Sequence, residues 1–286
     1  MKLSVIVPVY NVAAHLERCL QSLEQQGLDD YEVILVDDAS RDQSNAICRK
    51  WCESHPQYIL LVHNNNRGLS EARNSGLCQA TGKCITFVDS DDYLASGTLG
   101  ENLRLMVDAD VLEYPIETGH GSQVSQMMTP PTGNRDFQDW MEQGGVTHCY
   151  ACNKIFKARL WNEIRFPAGR YFEDILCIPR VLAKARSIRS SAVGCYYYCS
   201  NEGSISTTLS PQVLEDYIRA HEDLLELPEC KGNVQVIQQM LNGQWNYYRH
   251  VSLRRIAPYY PIRWTALMKA SWPNRIKGLL NNLHVR

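Results

Sequence analysis

Three carboxylates within four residues, Asp89-Ser90-Asp91-Asp92, follow directly on the apolar run Cys84-Ile85-Thr86-Phe87-Val88. A run of β-branched and aromatic residues of this length predicts a buried strand, and the acids form the turn that leaves its carboxyl end. In an open α/β sheet that edge is where ligands bind, and acids crowded there repel one another unless a cation joins them. A hard divalent ion, Mg2+ or Mn2+, takes such oxygens and shares them with substrate phosphates. The competing reading makes Ser90 and Asp91 caps for a helix starting near Ser96, with the acids as a solvated turn.

A second acidic strand end, Asp37-Asp38-Ala39-Ser40, closes the apolar run from Tyr31. Ser40 is the expected cap of the helix that follows, which leaves Asp38 to accept hydrogen bonds from a base edge or from ribose hydroxyls. The stretch Asn66-Arg67-Gly68-Leu69-Ser70-Glu71-Ala72-Arg73-Asn74-Ser75-Gly76 leads into a helix from Leu69 on which Leu69, Ala72, Gly76, Leu77 and Ala80 form one stripe, and Arg73 falls inside it. A guanidinium in that stripe needs a partner, either a structural acid such as Asp89 or a ligand's negative group. Glu173-Asp174 opens a further helix after Arg170-Tyr171-Phe172. A helix N-terminus welcomes carboxylates, which is one reading; the other makes Asp174 a general base, with apolar Phe172 offsetting the dipole's lowering of its pKa. Lys154, on an expected strand, reads as a snorkelling surface lysine.

These residues need elements to hold them. Leu3 to Val9, Tyr31 to Val36, Tyr58 to Val62 and the run from Cys84 read as buried strands. Between them, Val12 to Gln26, Asp42 to Cys52 and Leu69 to Ala80 read as helices. Strands buried on both faces and separated by helices specify a largely parallel sheet with right-handed crossovers. Beyond Ser96 the pattern changes: a helix to about Val107, a strand from Asp110 to Pro115 and a hairpin partner around Val124 to Met128. Then come a short helix from Asp136 to Gln143, strands at Tyr150 to Phe156 and Ile188 to Cys199, a helix from Glu173 to Ala185, and helices after Ser210. Neither G-x-G-x-x-G nor G-x-x-x-x-G-K-[ST] follows the first strand, so a nucleotide's charge must be met by metal and arginine, and a nucleotidyltransferase reading loses its phosphate loop.

The chain has 286 residues, a formal net charge of -2 and eleven cysteines. The charge gives no reason to expect nucleic acid. The opening Met1 to Val7 runs into a strand without a processing site, so free thiols in a reducing, cytoplasmic setting are expected. A zinc site from Cys149, Cys152, Cys195 and Cys199 is the minor alternative. No acidic residue follows Glu229, while nine Lys and Arg residues do, from Lys231 to Arg286, with Tyr247, Tyr248, Trp264 and Trp272 among them. That tail reads as a helical appendage with a solvated basic face, or as peripheral contact with the anionic inner face of a membrane.

The motifs from Ser4 to Asn11, Asp37 to Ser40, Asn66 to Asn74, Phe87 to Asp92 and Glu173-Asp174 resemble, in order and spacing, those of family 2 glycosyltransferases. The resemblance covers roughly residues 1 to 205 and is most specific in the first 95. It implies an α/β GT-A fold, Rossmann-like, with a mostly parallel sheet flanked by helices. A catalytic domain would span 1–209, with a nucleotide-binding half at 1–95 and an acceptor half at 96–209, and 210–286 would form a helical C-terminal extension. It also implies inverting transfer of a sugar from a nucleotide diphosphate, commonly UDP, to a glycan or lipid-linked acceptor hydroxyl. By that resemblance Pro8, Tyr10 and Asp38 hold the nucleoside, Arg73 meets base or phosphate, and Asp89 meets ribose or sugar. Ser90 is counted with the donor-binding residues, Asp91 binds Mn2+ or Mg2+, and Asp174 is the base. The arginine that many relatives carry after an aromatic strand is replaced here by Cys199-Ser200-Asn201-Glu202-Gly203-Ser204. That departure supports the alternative of a catalytically impaired nucleotide-sugar-binding partner or scaffold.

Overall fold

The computed structural model describes residues 2–120, 123–130, 132–199, 211–231 and, beyond them, 233, 236, 237, 239, 240, 242 and 243. The expected closing loop at 200–206 and the basic tail from 244 onward lie outside the described residues. The chain forms two compact units: Met1–Asp136, Tyr150–Gly169 and Lys184–Asn201 make the first, and Phe137–Cys149, Arg170–Ala183 and Glu202–Arg286 make the second. The expected partition ran along the chain, whereas these units interleave.

In the first unit, β1 (Leu3–Val9), β2 (Tyr31–Asp37), β3 (Tyr58–Val62) and β4 (Cys84–Phe87) alternate with α1 (Ala13–Glu24), α2 (Ser44–Ser54) and α3 (Leu69–Gln79). All seven residues of β1 are buried, which is why the run is apolar without alternation. Next come β5 (Tyr93–Leu94), α4 (Thr98–Leu105), β6 (Val111–Glu113), β7 (Ile116–His120), β8 (Gln123–Met128) and β9 (Gly133–Arg135). The unit is completed by β10 (Lys154–Lys157), β11 (Ile188–Ser190) and β12 (Tyr196–Cys199). One sheet has eight strands in the order β3-β2-β1-β4-β10-β6-β11-β9, and a smaller one has the order β5-β12-β7-β8. In the larger sheet β10 and β9 run against the other six.

The chain moves outward from β1 to β2 and β3 on one side and returns to β4 on the other, so β1 and β4 flank the point where the order reverses. They also part there. β1 pairs with β4 only over Leu3 to Ile6, while it pairs with β2 through to Val9. The Ile6 carbonyl accepts from Val88 N–H and the Val9 carbonyl from Asp38 N–H, so by alternation Pro8 turns its missing N–H toward β4, past the end of the ladder. A proline is thereby tolerated in a central strand and ends its pairing.

Ile188 to Cys199 was expected as one strand. It breaks into β11 and β12, which belong to different sheets, because Gly194 takes φ +72° in a turn where a Cβ would meet Thr98 Cβ at 2.7 Å. The second unit contains the α-helices α5 (Phe137–Glu142), α6 (Glu173–Ala183) and α7 (Pro211–Leu225). α6 buries Leu176, Ile178, Val181 and Leu182, and α7 packs on it with Ile218 and Leu224 buried. Among the described residues no helix is long and apolar enough to cross a membrane.

Candidate active site at the carboxyl edge of the first unit

Two loops close the edge beside β1. Asn11, with φ +52°, donates its N–H to Ser40 Oγ (3.1 Å), and its side-chain oxygen accepts Arg41 N–H (2.8 Å). Val12 N–H donates to Ser44 Oγ and Ala13 N–H to Asp42 Oδ2, both at 2.9 Å. Ser40 therefore ties the β1 loop to the β2 loop and does not cap α2, as had been expected; Asp42 accepts Ser44 N–H at the start of that helix. Tyr10 projects from the end of β1 at 43% exposure, while Pro8 is buried.

Asp38 is buried and its acceptors are already engaged: Oδ1 takes His63 Nδ1 (2.6 Å) and Arg67 N–H (2.9 Å), and Oδ2 takes Gly68 N–H (2.7 Å). His63 Nε2 lies 2.9 Å from Ser75 Oγ, so Asp38, His63 and Ser75 form a chain from β2 through the end of β3 to α3. Sequence reasoning missed His63 and Ser75. A polar residue just past β3, at the same sheet edge as the two acidic strand ends, was the available signal.

Arg73 is 2% exposed and donates to Asp89 Oδ1 at 2.9 Å, with Phe166 below its guanidinium at 5.2 Å. The pair is thus inside the protein on the arginine's side, and the Asp89 side chain, 23% exposed, is the partner that reaches solvent. Asp92 is buried. Its Oδ1 accepts Cys199 N–H and its Oδ2 the Tyr196 hydroxyl, both at 2.7 Å, and the same hydroxyl accepts Asp89 N–H at 3.1 Å. Burial first, then the charges of Asp89 and Asp91, raise the Asp92 carboxyl to about 8, against the lowering effect of those hydrogen bonds. Half-buried Asp91 lies between the two anchored acids, Ser90 is buried, and Arg18 of α1 donates to the Asp91 carbonyl at 2.6 Å while covering the Tyr93 ring. The capping reading of Ser90 and Asp91 fails, since α4 starts at Thr98 behind Gly97 at φ +76° with no side-chain cap.

A buried Asp92 whose pKa is raised by the acids crowded beside it marks a donor set suited to a hard cation. Among the described residues no three His, Cys, Asp or Glu side chains form a complete metal-holding group, so substrate oxygens would have to fill out the shell of an ion at Asp91. Lys154 corrects another expectation. It is fully buried, because β10 is interior to the sheet, and it pairs with Glu113 (3.1 Å) and donates to the Tyr150 carbonyl (2.7 Å). Of the expected site residues, Pro8, Tyr10, Asp38, Arg73, Asp89, Ser90 and Asp91 are in the first unit; Asp174 is in the first turn of α6, in the second.

The model of the family described as "Glycosyl transferase family 2" matches residues 4–165. Among curated proteins, the chain is 31% identical over 222 residues to glycosyltransferase GlyG of Streptococcus pneumoniae, covering 72% of this chain and 73% of that one. It is 28% identical over 267 residues to GlyA of the same organism, covering 85% of this chain but 38% of GlyA. The structure of Staphylococcus aureus TarS 1–349 in complex with UDP-GlcNAc superposes with a TM-score of 0.73 at 24% identity, covering 99% of this chain and 89% of that one. In sequence, TarS, a poly(ribitol-phosphate) β-N-acetylglucosaminyltransferase, is 29% identical over 261 residues, and the chain spans 45% of its length.

Proposed function

We propose, from the premise that this chain belongs to glycosyl transferase family 2, that it moves a sugar from a UDP donor to a hydroxyl of a glycan or lipid-linked acceptor, with inversion. The observation that carries this reading is the acidic turn after β4, gripped on one side by Arg73 and on the other by Tyr196 and the Cys199 N–H, with Asp91 between. Such a turn is preorganised: its carboxylates need no rearrangement when a substrate arrives. Tyr10 offers an exposed ring for a base, and Asp38 holds the loop at Arg67 and Gly68 in place at the carboxyl edge of the same sheet. Arg73 acts through Asp89, fixing the carboxylate that meets ribose or sugar. Asp91 would hold Mn2+ or Mg2+, which when bound offsets negative charge on the departing diphosphate. Asp174 takes the proton from the attacking hydroxyl, and a single displacement inverts the anomeric carbon. That TarS was crystallised with UDP-GlcNAc supports the uridine reading without naming the sugar used here.

Two expected outcomes test this. UDP with Mn2+ raises the melting temperature by roughly 5 °C or more at saturation, and Asp91→Ala removes most of that rise. Asp174→Asn keeps the UDP shift and lowers transfer by about 10²- to 10⁴-fold, the range general-base loss produces. Equal loss of donor binding and transfer in Asp174→Asn would assign that residue to structure.

A further inference from the structure

Phe172 is the residue at which the chain turns into α6, and its φ of +58° lies in the left-handed region that bulky side chains rarely occupy. Such a backbone persists only where its surroundings over-determine it. Here the surroundings are one helix of the same unit. The Phe172 ring packs on Tyr217 with centroids 4.8 Å apart, and Tyr171 N–H donates to Asp216 Oδ2 at 3.3 Å. Arg170 pairs with Asp216 at 3.7 Å and Asp223 at 3.8 Å. All of these partners belong to α7.

The clamp is itself held in place. Asp216 is buried, and its Oδ1 accepts Gln212 Nε2 at 3.1 Å from one turn earlier. His221 lies against the Tyr217 ring at 4.4 Å, and burial lowers its pKa to about 3, so it packs there as a neutral ring. Beyond Phe172 the first turn of α6 begins: the Phe172 carbonyl accepts Ile175 N–H at 3.1 Å, and Glu173 and Asp174 stand inside that turn. The direction in which the turn sets out is decided two residues before Asp174.

We infer that Asp216 and Tyr217 are positioning residues for Asp174: from α7 they hold Arg170 to Phe172 in the left-handed kink that aims the first turn of α6. This rests on the reading of Asp174 as the base. A displacement of about 1 Å in a reacting group can cost on the order of 10²-fold in rate, so a clamp two residues away has leverage on turnover without touching the donor.

The test measures release of UDP from UDP-N-acetylglucosamine and UDP-glucose with Mn2+, alongside the UDP–Mn2+ melting shift. Tyr217→Ala and Asp216→Ala are expected to lower turnover about tenfold or more with an unchanged UDP shift, while Tyr217→Phe, which keeps the ring, stays within about twofold of the parent. In an Asp174→Asn background the same substitutions add no further loss, because they act through the side chain already removed. Should Tyr217→Ala or Asp216→Ala fail to fold, Asp216→Asn carries the same comparison. Additive losses in the Asp174→Asn background, parallel loss of the UDP shift, or parental turnover in the clamp variants would each overturn the inference while leaving the base reading intact. Parental turnover in Asp174→Asn itself would overturn both.

Discussion

Glu32 and Asp92 are both buried carboxylates, and their surroundings drive them in opposite directions. Glu32, at the amino end of β2, accepts Ser4 Oγ (2.6 Å), Thr81 N–H (2.7 Å) and Lys2 Nζ (3.0 Å). Burial alone would raise its pKa, but these donors outweigh it and hold the group at about 2. A carboxylate with a lowered folded pKa stabilises above its unfolded value and loses that contribution as pH falls toward the folded one. The margin of wild type over Glu32→Gln, at most about 3 kcal/mol at neutral pH, is therefore expected to shrink between pH 4.5 and 2 in acid-denaturation curves. Asp92 sits among like charges with its acceptors spent on Tyr196 and Cys199, a strain that belongs at a binding edge. The acidic strand ends were plain in the sequence because carboxylates rarely end an apolar run without a reason. The pairing of Arg73 with Asp89 was one of two readings open from the sequence, whereas that Asp38 spends its acceptors on His63 and the Arg67 and Gly68 amides was not legible, because it depends on residues 25 to 30 positions away.

At the level of elements, α3 shows how sequence period and close approach combine. It runs from Leu69, as expected, and presses on β1 so closely that a Cβ at Gly76 would collide with Ile6 Cγ2. Gly76→Ala gains about 1 kcal/mol of helix propensity but overpacks a site whose neighbour is fully buried, at about 1–3 kcal/mol. The expected net loss of stability, about 1 kcal/mol, would appear as a lower denaturation midpoint with an unchanged slope. β3 matches its expected bounds even though, as the edge strand of the larger sheet, it is only partly buried, because its continuous apolar run was a clear signal. The two-residue β5, and the break between β11 and β12, left no such mark: within 188–199 only Gly194 signals the turn. The GT-A arrangement was thus legible in its nucleotide half, and the smaller sheet was not.

The whole molecule departs most from a linear reading. α7 was expected to lead an appendage, yet it covers the apolar face of α6 within one compact unit. Removing residues from 210 onward is therefore expected to uncover Leu176, Ile178, Val181 and Leu182, giving a chain that aggregates or melts well below the parent in a thermal scan. No local pattern could have announced this, because the segments that pair are separated by the strands of the other unit. The interior position of β10 has a further consequence for synthesis. Because β10 fills the place between β4 and β6, a nascent chain emptying from the ribosome must carry a gap in the middle of its largest sheet until residues 154–157 emerge, and β11 must follow before the far edge can close. Folding of the first unit then waits on late-arriving segments, so a pause or premature stop after β6 would leave unpaired strand edges exposed to other chains.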